Sequence, residues 1–364
     1  MASLSLSDLV DASLKNIADA AFDSSLWPMA LAGMLEITDS TAINFLGWED
    51  DTSPINLPIN LDPLALQGWI ELGGAERSRE NPIVSVGAVM PVFASVAEHE
   101  VLAEDVRRRS ALWQDFYEAN RVPHIRAGKA WSDGERHVMV AAMQDRRQGP
   151  MSGDALVVYD RLLRAVGGSV QTAASLARDR GKLLAGAFDL MDVPVFVLDG
   201  FGHVLAMSRT AETEASRATE IVLSGRRLRL RNSGAAAELN AAIGALSGIW
   251  GLANPSGTRV VEISRALPAT NRLRIMRAPR HGYCLPVDAS ILVVIEHGLA
   301  EEGLTAVERE IMQALSAGRR AQDIAEQRGV SLDTIRTHSK AVYSKLGVSG
   351  QLELVVRMRR QLRD

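Results

Sequence analysis

The sequence predicts two α+β units with antiparallel sheets, joined by a long helix and followed by an all-α unit of four helices. Three observations lead there. At 364 residues the chain is longer than one hydrophobic core usually serves. Short β-branched runs bounded by turn residues alternate with helical stretches up to about residue 296, and beyond that point only helical spacing remains. Charge is also uneven. Residues 303–364 hold eleven Lys/Arg against seven Asp/Glu, a surplus of +4 in a chain of net charge −4, which leaves −8 on the remainder. A basic end on an acidic body is the electrostatic signature of an appended nucleic-acid-binding module.

With 47% hydrophobic and 23% charged residues the chain has the composition of a packed globular protein, not a disordered one. No apolar run approaches the ~18 residues of a membrane span, so no membrane partner is expected. The N-terminus, MASLSLSDLVDASLKNIADAAF, carries acids early and reads as an amphipathic helix instead of a signal peptide. A single cysteine, Cys284, excludes an internal disulfide and suits a reducing cytosol. The expected location is cytoplasmic.

In residues 1–152, Leu6, Leu9, Val10, Ser13, Leu14, Ile17 and Ala21 recur at helical spacing, and Leu26–Leu35 is a second helical run. Thr41–Trp48 and Arg136–Gln144 read as strands, Leu64–Leu72 and Trp113–Asn120 as helices, and Thr52–Pro63, rich in Asn, Pro and Asp, as a loop. Gly149 and Pro150 break the pattern, and Ser152 with Asp154 signals a helix start. The connecting segment, 153–190, carries helical spacing from about Ala155 to Leu190. Gly167, Gly168 and Gly181 are candidate interruptions. It reads either as one long helix forming a dimer seam or as two shorter core helices.

In residues 191–298, Val193–Leu198 and Val204–Met207 form a hairpin across the Asp199–Gly200 turn. Helices near Thr210–Ser216 and Ala235–Leu246 flank a strand-like Leu228–Leu230. Arg259–Ile263, Arg272–Met276 and Ile291–Ile295 close the unit as strands. A linker is expected from His297 to Gly303.

The last unit, 303–364, is the most legible. Thr305 with Glu308 three residues on has capping-box spacing. Gly318, Gly329 and Gly347 are placed as helix C-terminal caps. Ser331 caps a third helix, Leu332–Leu346, and Gly350 precedes a fourth, Gln351–Leu362. On the third helix Ile335, His338, Val342 and Leu346 form an inward stripe, while Arg336, Thr337 and Lys340 share the outer side. A short helix, a tight turn and a longer helix with a polar, cationic outer face make a helix-turn-helix, whose second helix enters the major groove of double-stranded DNA. Arg pairs bidentately with guanine, Thr meets a base edge or a thymine methyl, and Lys reaches guanine or phosphate. Ser331, Thr334 and Lys345 stand at the helix ends, where backbone phosphates are met.

Leu304, Thr305, Glu308, Glu310, Gly318, Ile324, Ala325, Val330, Ser331, Thr334, Ile335, Arg336, His338 and the run Lys345–Val348 resemble a LuxR-type (GerE-type) DNA-binding domain in register. The resemblance implies base-contacting positions at Arg336, Thr337 and Lys340, and phosphate-side positions at Ser331, Thr334 and Lys345. It also implies a homodimer pairing through the fourth helix, where Leu352, Val355, Val356 and Arg359 are available, and an operator of roughly palindromic sequence. Otherwise that helix only closes the domain core. RNA polymerase is a further candidate partner of such a regulator. Arg319 and Arg320 make the start of the second helix more basic than is usual in the family, and Asp333 adds an acid to the third.

The phrase VPVFVLDGFGHVLAMS and the strand order of residues 191–298 resemble a PAS domain. The phrase ALWQDFYEANRVPHIRAG, with RHVMVAAM after it, resembles a GAF-like domain more loosely. Trp113, Tyr117 and the region after Trp48 partly echo acyl-homoserine-lactone receptors. Trp48, Trp69, Trp113 and Tyr117 are candidates to line a pocket for a small apolar or aromatic effector; aromatic residues in such surroundings otherwise serve as plain core. The acid cluster and lysine of a receiver domain are missing, and Cys284 does not sit in the phrase of a flavin-binding light sensor. Scattered His99, His124, His137, His203 and His281 give no metal-ligand spacing, so neither metal nor cofactor is expected. Without P-loop, HExxH, GxSxG or CxxC the chain is not expected to be an enzyme. The rival reading is a ligand-independent regulator whose front units serve dimerisation or protein docking.

Overall fold

The computed structural model describes residues 5–49, 54–76, 81–217, 220–247, 257–264, 269–278, 285–299 and 304–361. Trp250, His281 and Cys284 lie outside them.

The first sheet is a layer between two sets of helices. In chain order come α1 (Leu6–Ala20), α2 (Trp27–Ile37), β1 (Ala42–Glu49), β2 (Ile55–Ile59), α3 (Pro63–Glu71), α4 (Pro82–Val89), β3 (Ser95–Ala97), α5 (Glu98–Val101), α6 (Glu104–Arg109), a π-helical segment (Leu112–Glu118), β4 (His124–Ser132) and β5 (Arg136–Gln144). The antiparallel order is β2-β1-β5-β4-β3. Strand alternation divides the core. Ile43 and Phe45 pack with α1, α2 and the helix that follows the sheet, whereas Ala42, Leu46 and Trp48 face α3, α4 and the π-helical segment.

Two local readings change, and α4, β3, α5, α6 and β4 lie in segments to which spacing assigned no element. The expected loop Thr52–Pro63 contains β2, which buries Ile55 and Leu57. It is an edge strand, paired only with β1, and therefore tolerates Pro58, which has no N–H to donate. The helix expected at Trp113–Asn120 forms with the wider π winding. Strand β4 was hidden by its charges: Arg126 and Lys129 are buried in it, partnered by Glu100 and by the carbonyl of Ala88 at 2.9 Å each. Partnered charges inside a strand erase the alternation that marks one.

The connecting segment is one uninterrupted helix, α7 (Gly153–Asp189). Neither Gly167–Gly168 nor Gly181 breaks it, and its buried stripe faces its own chain. Tyr159, Leu162, Leu163, Val166, Val170 and Ala173 pack on the first sheet, and Ala185 on the second. Gly167 lies where a Cβ would come within 2.2 Å of the Ala130 carbonyl oxygen, so the close approach of helix to β4 requires glycine.

The second sheet follows as β6 (Val195–Leu198), β7 (Val204–Met207), α8 (Arg209–Arg217), β8 (Ile221–Ser224), β9 (Arg227–Leu230), α9 (Ser233–Ser247), β10 (Arg259–Ser264), β11 (Ala269–Arg277) and β12 (Ile291–Leu299). Its order is β7-β6-β12-β11-β10, with β8-β9 as a separate hairpin that the sequence reading recovered only in part. Counted along the chain, both five-stranded sheets have the order 2-1-5-4-3. Val195 and Val197 face α7; Phe196 and Leu198 face α9. Strand β12 runs on to Leu299, so the linker expected from His297 begins later.

The two sheets meet over a shared core and a polar junction. Phe201, Leu285 and Val287 join the core of the first sheet. Arg136 and Asp199, 2% and 0% exposed, form an ion pair between β5 and the β6–β7 turn. The Asp199 carboxylate also accepts from the backbone N–H groups of Phe201 and His203 at 3.0 and 2.9 Å. Four helices complete the chain: α10 (Ala306–Ser316), α11 (Ala321–Arg328), α12 (Leu332–Leu346) and α13 (Gln351–Gln361).

Adjacent glycines of α7 test this packing. Gly167→Ala should lower stability by about 1–3 kcal/mol through overpacking. Gly168→Ala, with open space around its Cβ, should be neutral or stabilising by up to about 1 kcal/mol. Urea unfolding of both variants measures the contrast.

Candidate nucleic-acid interface

Each helix of the C-terminal unit is bounded as its sequence dictates. Thr305 and Glu308 form the reciprocal capping box of α10. Ser331 accepts the Thr334 N–H at 3.1 Å to start α12. Gly318, Gly329 and Gly347 adopt positive φ beyond the helix ends, a conformation that disfavours L side chains. The core is Ile311, Met312, Leu315, Ile324, Ala325, Ile335, Val342, Leu346 and Leu354. On α12 the inward stripe is Ile335, Ser339, Val342 and Leu346. This corrects the sequence expectation, since His338 is half-buried and Ser339 buried. Ser339 is accommodated inside because its hydroxyl donates to the Ile335 carbonyl at 2.8 Å.

Arg336, Thr337 and Lys340 are exposed and line one concave surface with Asp333, Tyr343 and Gln351. The Arg336 side chain, 64% exposed, lies 3.5 Å from Asp333, an exposed pair that costs little to separate. Thr337 donates to the Asp333 carbonyl at 2.9 Å, so its hydroxyl proton is engaged and its oxygen is left as an acceptor. Lys340 has no ion-pair partner among the described residues. Ser331 and Thr334 are exposed at the α12 N-terminus, their hydroxyls 2.8 Å apart.

Lys345 is placed differently from the other five. Its Nζ lies 2.7 and 2.8 Å from the Glu308 carboxylate oxygens, tying the end of α12 to the start of α10. The hydrogen bonds from Lys345 and from the Thr305 N–H hold the Glu308 carboxyl well down, from 4.5 to about 2. Lys345 is thus a tertiary clamp as well as a cation at the helix end. Capping-box spacing marks Glu308 as a helix-start residue, but nothing local encodes its pairing with a lysine 37 positions away.

In the first unit the structure gathers Trp69, Trp113 and Tyr117. Trp69 donates to the Tyr117 hydroxyl at 2.9 Å, and the Trp113 and Tyr117 ring centroids are 4.4 Å apart. Trp48 joins the same core but stacks on His137 at 5.0 Å. Trp69, Phe116 and Tyr117 wall a cavity of about 40 Å³ with Asn44, Leu46 and Met139. Neither Trp48 nor Trp113, both expected to line a pocket, is in its wall, and polar groups in and around it are incompletely satisfied. Asn44 Nδ2 donates to Asn56 at 2.7 Å, yet Asn44 Oδ1, Asn56 Nδ2 and the nearby Trp113 Nε1 have no partner. Burial pushes the Tyr117 phenol up, so it retains its proton as a donor.

Residues 302–358 match the family model of bacterial regulatory proteins, luxR family. The C-terminal unit is a luxR-family domain. A probable transcriptional regulatory protein, SgaR, of Hyphomicrobium methylovorum is 46% identical over 50 residues, which are 14% of this chain and 24% of that protein. The chain therefore spans about a quarter of that relative's length. Similar solved structures include the VqsR LBD domain from Pseudomonas aeruginosa, at 14% identity, 45% of this chain, 94% of that one and a TM-score of 0.37. The N-acylhomoserine lactone dependent LuxR family transcription factor CepR2 from Burkholderia cenocepacia is at 10% identity, 44%, 93% and 0.34.

The luxR-family domain has its acid-labile point at the Glu308–Lys345 clamp. A carboxyl depressed on folding stabilises above its unfolded value of about 4.5 and loses that contribution as pH falls towards about 2. Urea unfolding monitored in this domain should weaken over that window, and Glu308→Gln should flatten the dependence. Lys345→Ala should cost about 1 kcal/mol at neutral pH, measured in the same way.

Proposed function

We propose that this chain is a sequence-specific, DNA-binding transcription regulator, acting in the cytoplasm as a homodimer under the control of a small apolar or aromatic effector. One observation carries the DNA reading: α12 of a luxR-family domain presents Arg336, Thr337 and Lys340 together on its open face, with Ser331 and Thr334 at its N-terminus. The first three are suited to base edges and the last two to phosphates. Leu352, 81% exposed, and Val356 lie outward on α13 while Leu354 closes the core, which supports pairing of two copies there. The Arg359 side chain lies outside the described residues. Two paired heads would read half-sites about one helical turn apart.

We read residues 1–152 and 191–298 as a GAF-like and a PAS-like unit flanking the 153–190 helix. The shared 2-1-5-4-3 sheet order with helical layers supports that division. The aromatic cavity is the proposed effector site, supported by its apolar walls and by the partnerless Oδ1 of Asn44 in its lining. A volume of 40 Å³ is close to the ~30 Å³ that one water occupies. An effector must therefore displace side chains, with the π-helical segment the neighbouring element to yield. The same small volume favours the rival reading, in which these aromatics are plain core and the front units only dimerise or dock.

Arg336→Ala should cost about 1–3 kcal/mol at one operator position and relax preference there. Binding assays on operator and random DNA check it, and equal losses on both would remove the base-reading role. For the effector, a ligand at a hundred times its dissociation constant should add about 2.7 kcal/mol of stability. A thermal-shift screen of apolar and aromatic metabolites tests this on wild type and on Ala141→Phe, which fills the cavity. Stabilisation confined to wild type supports the site; no stabilisation by any compound favours the ligand-independent regulator.

A further inference from the structure

A second, larger opening lies where the two sheet-bearing units meet. It has a volume of about 720 Å³, and its walls come from both: Glu49 at the end of β1 and Glu135 before β5 on one side, the β8–β9 hairpin and α9 on the other. The hairpin's alternation sends Leu228 and Leu230 into the core and turns Arg227 and Arg229 to the cleft, with Arg226 at the Gly225 turn.

The charges in this cleft are not equivalent. Glu49 is ion-paired with Arg227, and His203 Nε2 lies 3.0 Å from it. Although burial opposes ionisation, the hydrogen bonds from His203 and Arg227 hold the Glu49 carboxyl below its ordinary range, so it is a charged but neutralised group. Asp199 behind it is taken by Arg136. Arg226 and Arg229 are exposed and form no ion pair among the described residues, although Arg226 adds its positive field to that of Arg136 at Asp199; one exposed acid, Glu135, stands against them.

We propose that this cleft is a binding site for a small organic anion, a phosphate or carboxylate held by Arg226 and Arg229. Two exposed guanidiniums outside any ion pair of the described residues, in one concave site, favour an oxyanion, which each can grip through paired N–H donors. A cation is the competing occupant, because Glu49, Glu135 and His203 offer ligand atoms within 4.8 Å of one another. It would have to displace the Arg227 guanidinium from Glu49 and sit beside two further arginines, which is why the anion is favoured. The site is separate from the aromatic cavity, and an occupant would touch both units across their junction.

Calorimetric titration of the full chain with inorganic phosphate, with citrate and with zinc tests the proposal. Saturable binding of one equivalent of phosphate or citrate is expected, weakened at least tenfold in Arg226→Gln/Arg229→Gln and unchanged in Arg336→Gln/Lys340→Gln. The stronger arm would identify the anionic group. No saturable anion binding, binding that survives Arg226→Gln/Arg229→Gln, or binding lost in Arg336→Gln/Lys340→Gln would overturn it. So would zinc binding that is abolished by His203→Ala in a chain that takes up neither anion.

Discussion

The arrangement of the front of this protein depends on one helix being smooth enough on one side to carry two sheets. Over 37 residues, about 55 Å at 1.5 Å per residue, α7 offers a stripe that changes character along its length. Large residues such as Tyr159 and Leu163 fill the space over the first sheet, and small ones such as Ala177, Gly181 and Ala185 bring the second sheet close. The Gly167 contact with Ala130 fixes how near the helix sits to β4. A shift of the helix would reach both sheets at once, because packed interiors transmit displacement instead of absorbing it.

That coupling is reinforced by polar contacts between the units. Arg136–Asp199 and Glu49–His203–Arg227 lie at the seam, largely removed from water. Removing one member of such a pair leaves a buried charge alone, which is far more costly than the pair's net contribution. The seam therefore specifies one mutual position of the two sheets. The proposed anion cleft is walled by the seam itself, and the proposed effector cavity lies on the other face of the first sheet. A ligand that prefers one seam geometry would bias the other site by the same coupling free energy.

The C-terminal unit was legible almost residue by residue. Its capping box, its three positive-φ glycines and the outer Arg336, Thr337 and Lys340 depend on contacts within a few residues, which spacing reveals. The inward stripe was missed at one step, with Ser339 in place of His338. A serine that bonds back to its own helix can be buried, and periodicity of apolar residues does not register it. Lys345 shows the same limit over a longer range, since charge at a helix end suggested phosphate while its nearest partner proved to be Glu308. In the first sheet, β4 escaped because Arg126 and Lys129 are inside it, and β2 because Pro58 reads as a loop residue until the strand is known to be an edge.

By itself the sequence determined the class of the protein's output: local capping, helical spacing and charge bias specify a helix-turn-helix without reference to the rest of the chain. It also placed most of the helices and strands of the front units. Only the tertiary structure decided what those units can hold. Trp69, Trp113 and Tyr117 became one walled cluster because α3 and the π-helical segment lie over the same sheet face. Glu49, Glu135, His203 and Arg226–Arg229 became one cleft because two sheets close against each other. Those groups are separated by tens to more than a hundred positions in the chain, and no local preference encodes their meeting; the burial of the faces that carry them does.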